Sequence, residues 1–342
     1  MLSRNFFPVS RRVNEIRPGS RGAVSIRPHI RWEEEGVAST VGTIMALMVF
    51  LAFLSMFTSQ YVPVWMEENE ASHMSEAYGQ FATMKQAVDM QILAGSIHGT
   101  SSVQMFSPVT LGANGIPMFA SPTPGILSVS RTSSYDNVSF SYGEGTAITD
   151  FPSNTGGTIR LEVPNRYYIE QELAFENDAL ILKQPDGQYM KATPQLLVTP
   201  SGGYYLISYT QLDLRGSDAD YIGFGTRGVS TLMKSTTTTT FTNLTNVSST
   251  GASRFLTITH VSYYERAWYT SFNQTLSSAG LRWGTNISNP TTDYTIDSTL
   301  KSPPGSVDKL YEVRLNIKAD IVSTFTLTVA YVEISTSELG VE

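Results

Sequence analysis

The hydrophobic pattern of the chain begins with one long uncharged run. Residues 36–66 contain no Asp, Glu, Lys, Arg or His, and residues 41–57 are almost entirely apolar. A helix needs roughly 20 apolar residues to cross the hydrocarbon core of a bilayer. The run therefore predicts a transmembrane helix. Tyr61 and Trp65 follow it as interfacial aromatic side chains do, and Pro63 predicts a bend where the helix leaves the membrane.

Beyond this run the apolar positions recur every three or four residues, which is the period of an amphipathic helix. The stripe comprises Met74, Ala77, Phe81, Met84, Val88 and Ile92. Gly95 is a suitable helix end. We therefore expect a stalk helix that continues the span and lays this stripe against the following domain. We expect His73 to face solvent or that domain rather than a metal.

From about residue 97 the pattern changes to short segments with a period of two, which is typical of half-buried antiparallel strands. Residues 311–319 and 323–334 alternate most clearly. Strand-like segments recur at intervals of roughly 8–12 residues, which favours a β-sandwich. One helix interrupts them, because large apolar residues recur every four positions. These residues are Tyr264, Trp268, Phe272 and Leu276, with Gly280 as the expected helix end and Trp268 as the expected packing anchor.

The predicted fold class is therefore α+β. A long amino-terminal transmembrane and stalk helix is followed by a mainly antiparallel β-sandwich ectodomain with one packed helix. The predicted segments are a basic cytoplasmic leader at residues 1–36, the transmembrane and stalk helix at 37–95, and the β-domain at 96–342. The pattern leaves open whether the last segment is one sandwich or two subdomains.

The charges are distributed unevenly along the chain. Residues 1–36 carry seven Arg and four Glu, a net charge of +3, and the chain as a whole carries −7, which leaves −10 on the remainder. Basic residues before a transmembrane helix favour a cytoplasmic amino terminus. We therefore expect a single-pass protein with its carboxy-terminal domain outside the cell. The acidic balance of this domain argues against nucleic acid as a partner.

The sequence offers little catalytic or cofactor chemistry. There is no cysteine, which excludes disulfides and thiolate sites, and the four histidines are scattered. No nucleophile-elbow, zinc-protease or Walker phosphate-loop motif is present. We predict neither an enzyme nor a cofactor nor a metal site. Two groups of carboxylates occur, Asp213, Asp218 and Asp220, and Glu170, Glu172, Glu176 and Asp178. The first group is a candidate Ca²⁺ site or, with more weight, a solvated acidic loop.

The start of the apolar run, GVASTVGTI at residues 36–44, resembles the start of archaeal type IV pilins. The resemblance covers about 25 residues and implies that a prepilin peptidase cuts between Gly36 and Val37. The helix that follows would then pack in a filament core or anchor the protein in the membrane. The other interpretation of the same residues is an uncleaved signal anchor without a role in a filament.

Two function hypotheses follow from this pattern. The first is a pilin-like structural subunit, or a minor pilin, of an archaeal surface filament, with the bilayer, a prepilin peptidase and a homo- or hetero-polymer as partners. The second is a single-pass anchored adhesion or binding module. A secreted enzyme on a membrane tether is a weaker third hypothesis. Surface glycosylation is predicted at four N-x-[ST] sequons, Asn137, Asn243, Asn246 and Asn286.

Overall fold

The computed structural model describes residues 34–98, 103–142, 146–150, 155–242, 254–306 and 308–338. The chain divides into two compact units, Met1–Leu54 and Ser55–Glu342. The helices are α1 (Glu34–Met56), α2 (Val62–His98) and α3 (Glu265–Ser278). A π-helical turn covers Phe57–Tyr61, and a 3₁₀ turn covers Ala319–Ile321.

Fifteen strands follow α2 in the described residues. In chain order they are β1 (Gln104–Thr110), β2 (Gly125–Tyr142), β3 (Thr146–Asp150), β4 (Thr155–Val163), β5 (Gln171–Glu176), β6 (Ala179–Gln184), β7 (Gly187–Ala192), β8 (Leu196–Ser201), β9 (Tyr204–Arg215), β10 (Ala219–Gly223), β11 (Thr226–Thr242), β12 (Arg254–Ser262), β13 (Tyr294–Leu300), β14 (Tyr311–Lys318) and β15 (Val322–Glu338).

A π-helical turn marks the place where the sequence predicts a bend. The N–H of Val62 donates to the carbonyl oxygen of Phe57, five residues earlier. The next residue, Pro63, has no N–H, and a proline ring crowds the carbonyl of the residue four positions before it. A wider turn at this point accommodates the ring without ending the helix.

The strands form two curled sheets. The smaller sheet has the order β1-β11-β15-β9-β8, and the larger one has β13-β14-β12-β2-β4-β5-β6-β7, with β3 and β10 also paired to β2. All pairs in the larger sheet are antiparallel. In the smaller sheet, β9 and β15 are parallel. The prediction of mainly antiparallel pairing holds, with this one exception.

The stalk stripe lies in the core. Met74, Ala77, Phe81, Met84, Val88 and Ile92 are all buried, in one cluster with apolar residues of β4, β5, β11 and β15. Burial of an aromatic or large aliphatic side chain stabilises the fold by roughly 1.5–3 kcal/mol relative to its exposure. This stripe therefore fixes α2 to the strands. His73 is buried too, and its Nε2 lies 3.0 Å from the carbonyl oxygen of Thr110.

The helix α3 occupies the segment in which the sequence predicts one. Its buried residues include Trp268, Phe272 and Leu276, as expected, and Gly280 follows it with φ of 94°, a conformation that suits glycine. These side chains belong to a second core cluster, which contains residues of both sheets, among them Tyr209 of β9 and Leu315 of β14. This cluster surrounds the polar site described below.

Candidate functional site

Helix α1 presents apolar side chains on every side. Leu47, Met48, Val49 and Phe50 are consecutive, and they are 56, 64, 70 and 59 % exposed. Consecutive residues are rotated by about 100° around a helix axis, so four of them cover the circumference. The helix over Ser39–Ile97 is long and apolar enough to cross a bilayer, and its most apolar part is not buried against the protein. Such a helix is consistent with single-pass membrane anchoring.

The predicted processing and glycosylation residues occupy separate places. Gly36 and Val37 lie in the first turn of α1. Asn137 is half-buried on β2, and Asn286 is exposed in the loop before β13. Asn243 and Asn246 lie outside the described residues. Processing at Gly36 and glycosylation at these asparagines stay predictions.

A buried ion cluster joins three strands, β2, β5 and β12. His260 on β12 is paired directly across the sheet with Asp136 on β2. Its Nδ1 lies 2.8 Å from Asp136 Oδ1, and its Nε2 lies 3.0 Å from Oε1 of Glu176, at the end of β5. All three side chains are almost completely buried. Because a carboxylate faces each ring nitrogen, both nitrogens donate and the imidazole is held as a cation.

The surroundings of His260 favour this charge. Burial alone lowers its pKa, but the neighbouring charge and hydrogen bond of Asp136, together with Glu176, outweigh burial and raise the pKa to about 9. One cation between two carboxylates leaves one negative charge in the core. Neutral donors must compensate it, because an isolated buried charge costs several kcal/mol.

Those donors come from several elements. Glu176 accepts hydrogen bonds from the indole Nε1 of Trp268, at 2.5 Å, from Thr158, at 3.1 Å, and from Ser262. Asp136 accepts from the hydroxyl of Tyr209 and from the amide of Asn177. Burial and the charge of Asp136 raise the pKa of Tyr209 well above its usual value, so this hydroxyl keeps its proton. The cluster is closed on itself and stabilises the core, with β2, β5, β9, β12 and α3 all contributing.

The second group of carboxylates lies mostly inside the fold, although Glu170 is exposed. Glu172, Glu176 and Asp178 are buried. Glu172 accepts a hydrogen bond from Tyr264 and pairs with Lys183 at 2.7 Å. These carboxylates are tolerated inside because each meets a cation or a hydroxyl donor. In the described residues, no group of three or more His, Asp or Glu is arranged to hold a metal ion.

A second buried carboxyl connects α2 to the strands. Asn177 and Asp178 form the two-residue turn between β5 and β6, and both have positive φ, 43° and 63°. Lys85 of α2 places its Nζ 3.0 Å from Asp178 and 3.1 Å from Asp89. Burial raises the pKa of Asp178 to about 8 against the opposing effect of Lys85. Near neutral pH, Asp178 is therefore a neutral partner of Lys85.

One polar cleft borders the buried cluster. Its volume is about 200 Å³, and its walls include Ser128, Ser130, Ser133, Thr158, Arg160 and Tyr264. Thr158 and Tyr264 are shared with the cluster, since they donate to Glu176 and Glu172. The hydroxyl oxygen of Ser133 is buried there without a hydrogen-bond partner. The cleft can therefore accept a small polar molecule, although it contains no nucleophile–base pair.

Comparison with known proteins adds no relative. No protein-family model, curated protein or solved structure matches the chain. Function must therefore be inferred from the residues themselves.

The sequence analysis did not predict that Asp136, Glu176 and His260 form one cluster. One signal was available for the histidine: on β12 it follows Leu256 and Ile258 at steps of two, and therefore shares their buried face. Asp136 carries the same kind of signal, because it precedes the buried Val138 by two positions on β2. The contacts of Asp136 and Glu176 with His260 carry no local signal, because they join strands far apart along the chain.

Proposed function

We propose that the chain is a pilin-like structural subunit, or a minor pilin, of an archaeal type IV surface filament. The observation that carries this proposal is the contrast between its two helical segments. Helix α1 is apolar around its whole circumference and exposed, whereas α2 is amphipathic and packs its stripe against strands. A subunit that polymerises through its first helix needs such a surface, free to pack against copies of itself or lipid.

In this proposal the β-domain forms the exposed part of the subunit as a sandwich. The core cluster around α3 supports this arrangement, because it includes Ile207 and Phe325 of the smaller sheet together with Leu256 and Val313 of the larger one. Face-to-face packing of two sheets buries residues of both inner faces in this way.

The proposed orientation of the chain in the membrane is based on the distribution of charge along the sequence. Seven Arg precede the apolar run, and the remainder of the chain carries −10. This asymmetry favours a cytoplasmic amino terminus and an extracellular β-domain. Cleavage by a prepilin peptidase between Gly36 and Val37 would remove the basic leader and release α1 for assembly.

The buried ion cluster has a structural role in this proposal, and the protein is not an enzyme. His260, Asp136 and Glu176 are all buried, and they form hydrogen bonds to one another and to neutral donors, which suits a structural role. In a domain without cysteine, the cluster connects strands that disulfides would otherwise tie together.

Shearing of cells that express the tagged full chain tests the filament. We expect the protein in the sheared supernatant, sedimenting as a polymer, and visible as filaments by electron microscopy. As a control, Gly36→Leu blocks processing at the proposed junction and should leave the chain in the membrane fraction. A wild-type chain that stays in the membrane as a single detergent-soluble species would contradict the filament proposal.

A second candidate function is an anchored binding module, and the polar cleft beside Arg160 favours it. In this case α1 serves only as an anchor, and the cleft binds a small polar ligand at the cell surface. The shearing experiment separates the two functions, because an anchored module does not leave the membrane as a polymer.

A further inference from the structure

An aromatic cluster lies directly after the apolar helix. Phe57, Tyr61 and Trp65 follow one another at steps of four, with ring centroids 5.9 Å apart for the first pair and 6.4 Å for the second. Phe119 joins them from the segment between β1 and β2, with its ring 5.3 Å from that of Phe57. We call these four residues the interface cluster. Tyr61, Trp65 and Phe119 are exposed despite their contacts.

Phe119 belongs to a tight turn with an unusual residue at its tip. The N–H of Phe119 donates to the carbonyl oxygen of Ile116 at 3.0 Å, and Pro117 takes the second position. Met118 takes the third with φ of 68°, a conformation that turns of this kind normally reserve for glycine. Its side chain is 100 % exposed. A large apolar side chain in a strained, fully exposed position indicates a role outside the fold of the domain.

The turn is held rigidly against α2. We call residues 111–124 the finger loop. Ala113 and Thr123 bond to each other's backbone at 2.9 and 3.0 Å, which makes the base of the loop a short ladder. The hydroxyl of Thr123 donates at 2.7 Å to Glu70, a buried residue of α2. Gly115 allows the two arms to approach, since a Cβ there would lie 2.3 Å from the carbonyl oxygen of Ala120.

The finger loop also contains no charged side chain that would lose its hydration on contact with a membrane. Residues 99–130 contain no Asp, Glu, Lys, Arg or His. Tyr61 and Trp65 lie within nine residues of Met56, the last residue of α1. At a rise of about 1.5 Å per residue, nine residues place Trp65 roughly 13 Å beyond that end, within or just above the headgroup region.

We propose that the finger loop is a second membrane contact, in which Met118 and Phe119 enter the bilayer interface beside Tyr61 and Trp65. The proposal rests on membrane anchoring by α1 and deepens it. The occupant of the exposed patch is lipid, because three of the four residues of the interface cluster follow the apolar helix α1 directly in the chain. Two members of the cluster, Tyr61 and Trp65, are of the residue types that are enriched at the headgroup level of membrane proteins. The β-domain would therefore rest on the membrane at two points and not pivot on one helix.

The absence of cysteine makes a depth measurement direct. The full chain carrying Met118→Cys is labelled with an environment-sensitive fluorophore and incorporated into phosphatidylcholine vesicles. Nitroxide groups are placed either in the headgroup, near the carboxyl end of the acyl chain, or near its methyl end. Ser201→Cys, labelled in the same way, is the control. It lies in the β8–β9 turn, at the end of the smaller sheet opposite the finger loop.

We expect the label at position 118 to shift its emission to the blue and to lose about half its intensity with shallow nitroxides, since interfacial side chains sit roughly 5–10 Å into the headgroup and acyl boundary. The label at position 201 should do neither. If the protein floats with the vesicles but the label at position 118 reports water, the membrane contact of the finger loop is overturned and anchoring by α1 is not. A blue-shifted label that no nitroxide quenches would also overturn it and indicate a second copy of the chain. Failure of the protein to float would contradict anchoring itself.

Discussion

The imidazole of His260 on β12 lies directly across the sheet from the carboxylate of Asp136 on β2, with Nδ1 2.8 Å from Oδ1. Both side chains are buried, and the second ring nitrogen meets another buried carboxylate, that of Glu176. This arrangement makes the histidine the cation on which the polar part of the core depends.

Replacement of this cation should destabilise the protein strongly. In His260→Ala, Asp136 and Glu176 lose their shared partner and remain buried as like charges. Removal of one partner of a buried ion pair costs about 3–5 kcal/mol. Urea unfolding of the full chain in detergent micelles, followed by circular dichroism, measures the loss. The exposed change Thr299→Ala on β13 should stay within about 0.5 kcal/mol of wild type. If His260→Ala also changes the free energy of unfolding by no more than about 0.5 kcal/mol, the cluster does not support the fold.

The same residue predicts how stability depends on pH. The pKa of His260 is 6.5 in the unfolded chain and about 9 in the folded one. The folded state therefore binds more protons between these values, and its stabilisation is complete below pH 6.5 and is lost as the pH rises through 9. The difference corresponds to about 3 kcal/mol. Unfolding at a series of pH values should show this decline. A free energy of unfolding that increases over the same range would contradict the cationic assignment.

Asp178 makes a separate contribution at lower pH. Its pKa is 3.8 in the unfolded chain and about 8 in the folded one, because burial disfavours the charged form. The folded state keeps the proton that the unfolded chain releases, so stability falls as the pH rises between these values. Asp178→Asn should match wild type within about 1 kcal/mol below pH 3.8, where the carboxyl is neutral in both states, because the amide has the same shape. At pH 7 the variant should be more stable than wild type by about 4 kcal/mol, because its unfolded chain has no proton to release at this position.

The pH profile of this variant provides the check. The decline between pH 4 and 6 should disappear in Asp178→Asn and persist in wild type, since His260 titrates above that range. If the variant is instead several kcal/mol less stable at pH 7, the contact between Lys85 and Asp178 is an ion pair, and the neutral assignment of Asp178 is wrong.

Trp268 should stabilise the fold through the hydrogen bond of its indole N–H as well as through the packing of its ring. Trp268→Phe keeps an aromatic ring in the core but removes the donor that lies 2.5 Å from Glu176. The loss of a donor to a buried carboxylate costs about 1–3 kcal/mol. Trp283→Phe is the matched control, because Trp283 is half-exposed outside the core. Equal midpoints of urea unfolding for the two variants would show that the indole hydrogen bond adds nothing.

Local pattern predicted the parts of the fold that local physics determines. The apolar run, the stalk stripe, α3 and the strands β14 and β15 all follow from spacing within one segment. The parallel pairing of β9 with β15 joins residues more than 100 positions apart. No period within either strand determines which neighbour it takes or in which direction.

The sequence did not predict the buried ion cluster, for a related reason. Charged side chains are usually exposed to solvent. Glu176 is an exception that its own segment cannot reveal, because its compensating donors, Trp268 and His260, lie more than 80 residues away along the chain. The sequence did not predict the finger loop either, since the exposure of Met118 and the hydrogen bond from Thr123 to Glu70 are properties of the folded chain alone.

The mass of the amino-terminal peptide in the chain recovered from the cell surface tests the central claim most directly. Removal of residues 1–36 would leave Val37 as the first residue and α1 as a free apolar surface. The pilin-like account predicts a peptide that starts at Val37 in wild type and an unprocessed chain in Gly36→Leu. A wild-type chain that retains Gly36 and the arginines before it would contradict the account.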